Sequence, residues 1–368
     1  MVGSGSDTFY VLDRQVIENV YQEWTETLPK VKPYYAVKCN PNPDILRWLA
    51  DLGSNFDCAS PAEIQAVLAL GVEPERILYA NPCKRREDIC FAKDVKVLRT
   101  TFDSVCELKK ISRAFERALE RPELLLRIRA DDPSARCNLG VKYGAPEHEW
   151  DILFLTAKIL GLDLIGISFH VGSFASSSSV FSDALGKAEK AIELARKNGF
   201  DPRIIDIGGG FSSVHGLPKN LKCPPGLELI AEPGRFFVER AMTLYTPVIG
   251  VKGSGLTISE SLYGSFNCIL FDHAQPQIKE FLDEFGNKIE EGPTKLTTIF
   301  GSTCDGADII YKEYPLPVTL DEGDWIVWEN MGAYTVAATT KFNGISFDNR
   351  QIIKCSSTTP PPPHHWIL

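Results

Sequence analysis

The first two thirds of the chain alternate short apolar segments with amphipathic segments that repeat at helical spacing. Helical patterns such as NPDILRWLADLG and SPAEIQAVLALG separate most of eight strand candidates. The candidates are VKPYYAVK, NFDCA, RILYAN, VLRTTF, ELLLRIR, LIGISFHV, RIIDIGG and LELIAEP. Eight alternating units predict an α/β chain that forms a (β/α)8 TIM barrel, whose active site lies at the carboxyl ends of the strands.

The pattern changes after about Arg240, where β-rich segments replace the alternation. These segments are AMTLYTPVIGVK, SFNCILF, KLTTIF, DWIVWE and NGISF, and they predict a second, all-β domain. We therefore expect a barrel over residues 10–240, a β-domain over 241–355 with a contribution from 1–9, and an extended low-complexity tail over 356–368. The stretch FSSVHGLPKNLKCPPG has no helical period, so one barrel helix is expected to be missing.

Composition and charge narrow the classes of ligand. The 368 residues are 44% hydrophobic and 24% charged, which is ordinary for a globular protein. A net charge of −9 without basic runs argues against nucleic acid or an anionic membrane surface, and it favours a cationic ligand. No apolar run reaches the roughly 18 residues of a membrane span, and the start MVGSGSD lacks the features of a secretory signal. The ten cysteines show no paired metal spacing, so we expect free thiols, a cytoplasmic protein and no metal site.

Polar residues and glycines recur at the carboxyl ends of the predicted strands. Because all eight ends meet at one rim of a barrel, these residues are expected to line a single site. They are Lys38, Asp57, Arg127, His170, Gly208 to Gly210 and Glu232.

Lys38 stands among apolar neighbours in YYAVKCN. Burial disfavours the ammonium form of a lysine and lowers its pKa, which makes the amine nucleophilic enough to form a Schiff base. Taken alone, however, the residue is better explained by a snorkelling side chain or by half of an ion pair.

The last two predicted strands end in residues suited to an anion. Gly208, Gly209 and Gly210 leave backbone N–H groups that no Cβ shields, and Arg235 in AEPGRFF can bind a phosphate through two parallel hydrogen bonds. Phosphate sites of this barrel type lie after strands seven and eight. The alternative interpretations are a flexible glycine turn and a surface ion pair between Glu232 and Arg235.

Together these residues match the needs of pyridoxal 5′-phosphate: a lysine for the imine, an anion site for the phosphate and Glu232 for the pyridine nitrogen. A carboxylate beside that nitrogen keeps it protonated, so that the ring can accept electrons from the substrate. His170 in SFHVGS could stack on the ring, although a lone histidine is more often a core residue. Glu63 forms a capping box with Ser60 in SPAE, and its structural role comes first.

The same motifs resemble the eukaryotic-type ornithine decarboxylase family. They occur in that family's order from about Phe9 to Gly344, over almost the whole chain. The strings are YYAVKCN, NFDCAS, YANPCK, TFDS, GISFHVGS, DIGGGF, AEPGRFF, YGSFNCILFDHA, TCDG and ENMGAYTVAA.

The resemblance implies an alanine-racemase-like barrel with a C-terminal β-domain, in a head-to-tail homodimer with shared active sites. It implies that Lys38 forms the Schiff base with the cofactor, that Glu232 pairs with the ring nitrogen and that His170 stacks on the ring. The full set of implied cofactor-binding residues is Lys38, Asp57, Glu63, Arg127, His170, Ser173, Gly208, Gly209, Gly210, Glu232, Pro233, Gly234, Arg235 and Tyr334.

The resemblance also implies decarboxylation of L-ornithine to putrescine and CO2, a step of polyamine biosynthesis. Cys304 would be the proton donor, and Cys304 and Asp305 would reach the active site of the other subunit. The implied substrate-binding residues are Tyr263, Phe271, Asp272, Cys304 and Asp305. Two aspartates suit the distal ammonium group of a small cationic amino acid.

The chain departs from the family pattern at three places. Phe271 replaces the usual tyrosine, Phe174 replaces the usual glycine, and the segments before AEPGR and YGSFN are short. Lysine differs from ornithine by one methylene, worth about 1–3 kcal/mol in a pocket, so a lysine or dual-substrate decarboxylase is the main alternative. A non-catalytic protein of the antizyme-inhibitor type is a further alternative, and an antizyme is a candidate partner.

Overall fold

The computed structural model describes residues 7–130, 140–172, 178–213, 217, 221 and 224–355. The chain divides into two compact units. The barrel unit is Val20–Phe237, and the sheet unit combines Met1–Asn19 with Val238–Leu368. The predicted tail over 356–368 lies outside the described residues.

Strand β1 (Phe9–Asp13) and helix α1 (Arg14–Thr27) open the described chain, and eight parallel strands then close a barrel. The barrel strands are β2 (Val31–Ala36), β3 (Asn55–Cys58), β4 (Ile77–Tyr79), β5 (Arg99–Phe102), β6 (Glu123–Arg127), β7 (Asp163–Ser168), β8 (Ile204–Asp206) and β9 (Glu228–Ala231). The eight predicted strands and the predicted fold class are thereby confirmed.

Helices alternate with these strands as the apolar spacing predicts. They are α2 (Pro43–Asp51), α3 (Pro61–Leu68), α4 (Arg86–Asp94), α5 (Val105–Phe115), α6 (Trp150–Ile159), α7 (Ser178–Lys197) and the short α8 (Arg235–Val238). The described residues between β8 and β9 form no helix.

Local chemistry fixes where several of these helices begin. The side chains of Asn42, Ser60 and Ser104 each accept a hydrogen bond from a backbone N–H in the first turn of the helix that follows. Pro43 and Pro61 occupy first helical positions, where a missing N–H costs nothing.

The barrel interior is packed with side chains. A buried layer takes one residue from each of six strands: Tyr34, Leu78, Leu125, Ile165, Ile204 and Ile230. Such a layer closes the middle of the barrel and leaves polar chemistry to the strand ends.

The sheet unit contains one eight-stranded sheet. Its strands after β1 are β10 (Met242–Lys252), β11 (Gly255–Ile258), β12 (Gln277–Leu282), β13 (Lys295–Phe300), β14 (Ile309–Leu316), β15 (Trp325–Glu329) and β16 (Gln351–Cys355). The main path runs β12-β15-β10-β11-β13-β14, and β1 pairs antiparallel with β10 and parallel with β16. Phe9 stacks on Tyr245 with ring centroids 4.8 Å apart, within an apolar core.

Two strand predictions in this unit are wrong. SFNCILF contains helix α9 (Asn267–Phe271), and NGISF lies in single 3-10 turns. A short apolar run does not distinguish a buried helix from a strand. In NGISF, Asn343 and Gly344 both have positive φ, which breaks an extended chain.

None of the described helices combines the length and the apolar composition that a bilayer span requires.

Candidate active site

Lys38 lies just beyond the first barrel strand rather than within it. Strand β2 ends at Ala36, and Lys38 occupies a 3-10 turn over Val37–Cys39. Its amine donates a hydrogen bond to Asp57 Oδ2 at 2.5 Å, and its side chain is 40% exposed. The turn therefore leaves the amine open to a ligand while an ion pair holds it.

Asp57 lies in β3 and is fully buried. Its Oδ2 pairs with Lys38, whereas its Oδ1 has no hydrogen-bond partner among the described residues. An unpaired buried carboxylate oxygen is costly unless a further group binds it. This oxygen is therefore the first sign that the rim is built for a ligand.

Glu63 closes the first turn of α3. Its Oε2 accepts a hydrogen bond from Ala59 N at 2.6 Å, while Ser60 Oγ accepts one from Glu63 N at 3.3 Å. The predicted capping box is thus present, except that the carboxylate bonds one residue earlier than Ser60. Burial raises the pKa of Glu63.

Arg127 and His170 follow neighbouring strands. Arg127 is the last residue of β6, and its guanidinium carbon lies 5.3 Å from the ring centroid of Tyr143. His170 Nδ1 accepts a hydrogen bond from Gly172 N at 3.0 Å. Burial, helped by the charges of Arg127 and Lys38, holds the His170 pKa well below its usual value. His170 is therefore a neutral imidazole with its proton on Nε2.

The glycine triplet allows the backbones of three strand ends to touch. Gly208 has φ of +67°, and a Cβ there would lie 2.3 Å from Phe169 O. A Cβ on Gly209 would lie 2.8 Å from Glu232 O. The glycines are needed for this close approach of the backbones.

Gly208→Ala is expected to destabilise the cofactor-free protein by about 3 kcal/mol or more, because it adds a backbone clash to a left-handed conformation. Urea unfolding measures the change. Gly71→Ala is the matched control: Gly71 has φ of +81° with nothing within 4 Å of an added Cβ, so it should cost only about 1 kcal/mol. Equal losses in the two variants would contradict the clash.

Asp206 is a site residue that the sequence motifs did not single out. It ends β8, is buried, and its Oδ1 accepts a hydrogen bond from Gly208 N at 2.9 Å. Glu232 follows β9, is buried too, and is linked to the same glycine, because its backbone N–H donates a hydrogen bond to Gly208 O at 2.7 Å. Burial raises the pKa of Asp206 to about 7 and that of Glu232 well above its usual value. The sequence feature that could have identified Asp206 is that it is a single acid in the apolar strand RIID, shortly before the glycines.

The segment from Glu232 to Arg235 packs on the end of β2, the first strand of the barrel. Ala36 N donates a hydrogen bond to Pro233 O at 3.3 Å, and a Cβ on Gly234 would lie 2.8 Å from Cys39 Cβ. The first and last strand ends therefore bring Lys38 and Glu232 to the same part of the rim. Ser173 and Phe174, which sequence motifs also singled out, lie outside the described residues.

In the sheet unit, Tyr263 and Asp305 are joined by a hydrogen bond from Tyr263 Oη to Asp305 Oδ2 at 2.6 Å. The Tyr263 ring stacks on Phe342 with centroids 4.1 Å apart. Cys304 Sγ lies 3.4 Å from Asn343 Oδ1, which also accepts a hydrogen bond from Cys304 N. The thiol is exposed in the single chain.

A buried carboxylate fixes the loop that carries Cys304 and Asp305. Asp308 accepts hydrogen bonds from Ser261 Oγ at 2.8 Å, from Leu262 N at 2.9 Å and from Thr303 Oγ1 at 2.6 Å. Asp308 therefore holds the segment of Ser261 and Leu262 and the loop that contains Thr303 in one arrangement relative to each other.

The other predicted residues of the sheet unit lie apart from that loop in the sequence. Asp272 follows α9 and is buried, whereas its neighbour Phe271 is 69% exposed. Tyr334 has a left-handed backbone, with φ of 56°.

Comparison with known proteins places these features in one family. The model of the pyridoxal-dependent decarboxylase family, pyridoxal binding domain, matches residues 14–239. The chain is 43% identical to the chloroplastic ornithine decarboxylase of Nicotiana glauca over 358 residues, which are 92% of this chain and 82% of that one.

Two solved structures are similar to this chain over almost its whole length. The arginine decarboxylase of Paramecium bursaria Chlorella virus, bound to agmatine, is 36% identical with a TM-score of 0.88, over 95% of this chain and 96% of that one. The lysine/ornithine decarboxylase of Vibrio vulnificus, complexed with cadaverine, is 27% identical with a TM-score of 0.84, over 95% of each chain. The family model and the sequence identities show, in agreement with the residues at the barrel rim, that the chain belongs to the pyridoxal-dependent decarboxylases, in the group of eukaryotic-type ornithine decarboxylases.

Proposed function

We propose that this protein decarboxylates L-ornithine to putrescine and CO2 with pyridoxal 5′-phosphate as its cofactor. The observation that carries the proposal is the amine of Lys38, paired with the buried Asp57 at the barrel rim. The identity of 43% to an ornithine decarboxylase supports the choice of substrate.

The rim fits the cofactor on grounds of its own. Asp57 Oδ1 is a buried acceptor without a partner among the described residues, and the glycines from Gly208 to Gly210 keep Cβ atoms out of the backbone junction. When bound, pyridoxal 5′-phosphate supplies an electron sink for the bond to the leaving carboxylate.

We assign the barrel residues by their positions. Lys38 would hold the cofactor covalently, Glu232 would face the ring nitrogen, and His170 would lie against the ring face. Asp57, Glu63 and Arg127 would form the hydrogen-bonded surroundings. The phosphate would be bound by Ser173, Gly208, Gly209, Gly210, Pro233, Gly234, Arg235 and Tyr334.

Lys38 must lose a proton before its amine can attack a carbonyl carbon. Asp57 Oδ2, which lies 2.5 Å from the amine, would take that proton and return it. His170 is neutral, so it adds no charge beside the ring.

The sheet unit offers groups for the substrate. Asp272 and Asp305 would bind its distal ammonium, and Tyr263 orients Asp305 through a 2.6 Å hydrogen bond. Phe271 would line the end of the substrate pocket. Cys304 would return a proton to the substrate carbon after CO2 leaves, and Asn343 holds its thiol.

Cys304→Ala is expected to lower putrescine formation more than CO2 release, because a carbanion without its donor is protonated at other positions. Parallel assays of labelled CO2 and of diamine measure the ratio. Cys83→Ala, at another exposed cysteine, should leave the ratio unchanged. Equal losses of both products would refute the donor role.

The test of the substrate is kcat/KM for ornithine, lysine and arginine. One methylene is worth about 1–3 kcal/mol, so ornithine should exceed lysine by roughly 10-fold to 200-fold. The second candidate is a lysine or dual-substrate enzyme that forms cadaverine. Phe271 supports this candidate because, without a hydroxyl group, it does not fix the distance at which the distal ammonium is bound. Preference for lysine would overturn the ornithine assignment.

We further propose a homodimer with shared active sites. Apolar side chains stand exposed on the sheet unit at Leu270, Phe271 and Phe342, as expected of an interface. Mixing Lys38→Ala protein with Cys304→Ala protein should restore activity if each site takes these residues from different chains; no restoration would contradict sharing.

The remaining proposals concern the cellular compartment and the regulation of the protein. The eight described cysteines are all free, which supports a reducing compartment such as the cytoplasm, although the Nicotiana relative is named chloroplastic. An antizyme is the proposed regulatory partner. A non-catalytic role of the antizyme-inhibitor type would replace the enzyme proposal if the purified protein bound no pyridoxal phosphate and released no CO2 from ornithine.

A further inference from the structure

Asp206 and Glu232 form a buried pair of carboxyl groups at the ends of adjacent strands. In the β8–β9 pairing Asp206 lies opposite Ile230, and Glu232 follows two residues later. Asp206 is 1% exposed and Glu232 is 7% exposed. Both residues are tied to Gly208: Asp206 Oδ1 accepts a hydrogen bond from Gly208 N at 2.9 Å, and Glu232 N donates one to Gly208 O at 2.7 Å. Two ionised carboxylates have only acceptors and repel each other, so a hydrogen bond between these side chains requires that one of them keep its proton.

The surroundings of the pair favour that proton. Asp57 adds a third carboxyl group nearby, and the charges of Lys38 and Arg127 offset it only in part. Burial is the largest cause that raises both pKa values, and repulsion from Asp206 raises the pKa of Glu232 further. A fully ionised pair would place two incompletely compensated anions inside the barrel rim.

Asp206 is also fixed in one orientation. Its Oδ1 accepts the hydrogen bond from Gly208 N at 2.9 Å, so the carboxyl group cannot turn away from Glu232 without losing a backbone partner. The same contact ties Asp206 to the glycine triplet. The residue therefore links the carboxyl pair to the proposed phosphate end of the site.

We propose that Asp206 is a positioning residue that stays protonated when the cofactor is bound and donates a hydrogen bond to Glu232. Glu232 would then carry the single negative charge of the pair and accept a hydrogen bond from the protonated ring nitrogen. Above about pH 7 the empty pair keeps one proton, on Glu232; when the cofactor binds, this proton would move to Asp206, and the ring nitrogen would bring its own. This inference rests on the proposed role of Glu232.

Asparagine is the decisive replacement. In Asp206→Asn the amide oxygen can still accept from Gly208 N, and the amide N–H₂ can donate permanently to Glu232, as a protonated Asp206 would. Asp206→Ala removes both bonds. Asp163→Asn, at an exposed aspartate that begins β7, is the control.

Infrared spectroscopy of protein loaded with pyridoxal 5′-phosphate tests the protonation state directly. The wild type and Asp163→Asn should show the carbonyl stretch of a protonated carboxylic acid that Asp206→Asn lacks. If Glu232 kept the proton and Asp206 were the anion, the band would survive in Asp206→Asn. Survival of the band would overturn the proposal.

Cofactor affinity gives a second, independent readout. Equilibrium dialysis should find Asp206→Asn within about threefold of the wild type and Asp206→Ala weaker by at least about tenfold. If Asp206→Ala fails to fold, Asp206→Asn alone decides: a loss of tenfold or more would contradict a donor role for Asp206.

The pH dependence of the folding stability of the cofactor-free protein tests the protonation of Asp206 in the empty pocket. Because the Asp206 pKa is raised from 3.8 to about 7, its folded state binds a proton that the unfolded chain loses over that range. The stability supported by this proton is lost as the pH rises from about 4 to about 7. Asp206→Asn should flatten this fall, and an unchanged slope would show that Asp206 binds no such proton, which would contradict its pairing with Glu232.

These readouts separate the inference from the proposed function. Affinity and infrared spectra need no substrate, so a preference for lysine would leave the inference intact. Failure of Lys38 to hold the cofactor would overturn the proposed function even if the Asp206 band behaved as expected.

Discussion

Lys38→Ala is expected to lower kcat by at least about a thousandfold, because removal of a group that forms a covalent bond leaves only the binding contribution of the site. Borohydride reduction should no longer attach pyridoxal 5′-phosphate to the chain, as mass spectrometry of the reduced protein would show. Asp57 would lose its 2.5 Å partner and become a buried, unpaired carboxylate. The variant should therefore also be less stable without cofactor.

Lys32→Ala provides the control, since Lys32 lies in the same strand β2 and its exposed amine pairs with Glu228. It should retain both covalent attachment and turnover, because a surface ion pair contributes at most about 1 kcal/mol. Cofactor that remained fixed by reduction in Lys38→Ala would show that another lysine forms the bond.

Asp272→Asn is expected to have the second-largest effect. A buried carboxylate that loses its charge opposite an ammonium costs about 2–5 kcal/mol, or roughly 30-fold to several thousandfold in kcat/KM. The loss should appear with ornithine and lysine alike, because both carry a distal ammonium. Steady-state kinetics with each amino acid measures it, and cofactor affinity should stay unchanged.

Glu322→Gln is the control for Asp272→Asn, since Glu322 is an exposed acid in a loop of the same unit. Its kcat/KM should equal that of the wild type. A parallel loss in both acid variants would point to the overall negative charge of the protein, and a wild-type value for Asp272→Asn would remove this residue from the substrate site.

The barrel could be predicted from the sequence because both signals for it are local. Strand candidates such as VKPYYAVK and LIGISFHV are apolar runs of strand length, and helix starts such as Ser60-Pro61 carry their own caps. The sheet unit offered weaker signals. Strand β1 is paired by residues more than two hundred positions away, and no local pattern specifies such a partner.

Within the candidate site, residues with distinctive chemistry were easier to find than residues with supporting roles. Lys38 and Glu232 stand in short motifs, whereas Asp206 in RIID looked like an ordinary strand end. Its importance arises from contact with Glu232 across the β8–β9 pair, and that contact is tertiary. The position of Lys38 in a 3-10 turn was likewise hidden, because YYAVKCN is apolar enough to continue as a strand.

The two partners of strand β1 determine when the sheet unit can be completed. Strand β1 (Phe9–Asp13) pairs with β10 on one edge and with β16, which ends at Cys355, on the other. The first described strand is therefore fully paired only after the last one has been synthesised. During synthesis the barrel residues 20–237 leave the ribosome between these partners, and they can fold while β1 has both edges open. Because contacts of such long sequence separation form slowly, closure of this sheet should be the late step in maturation of the chain.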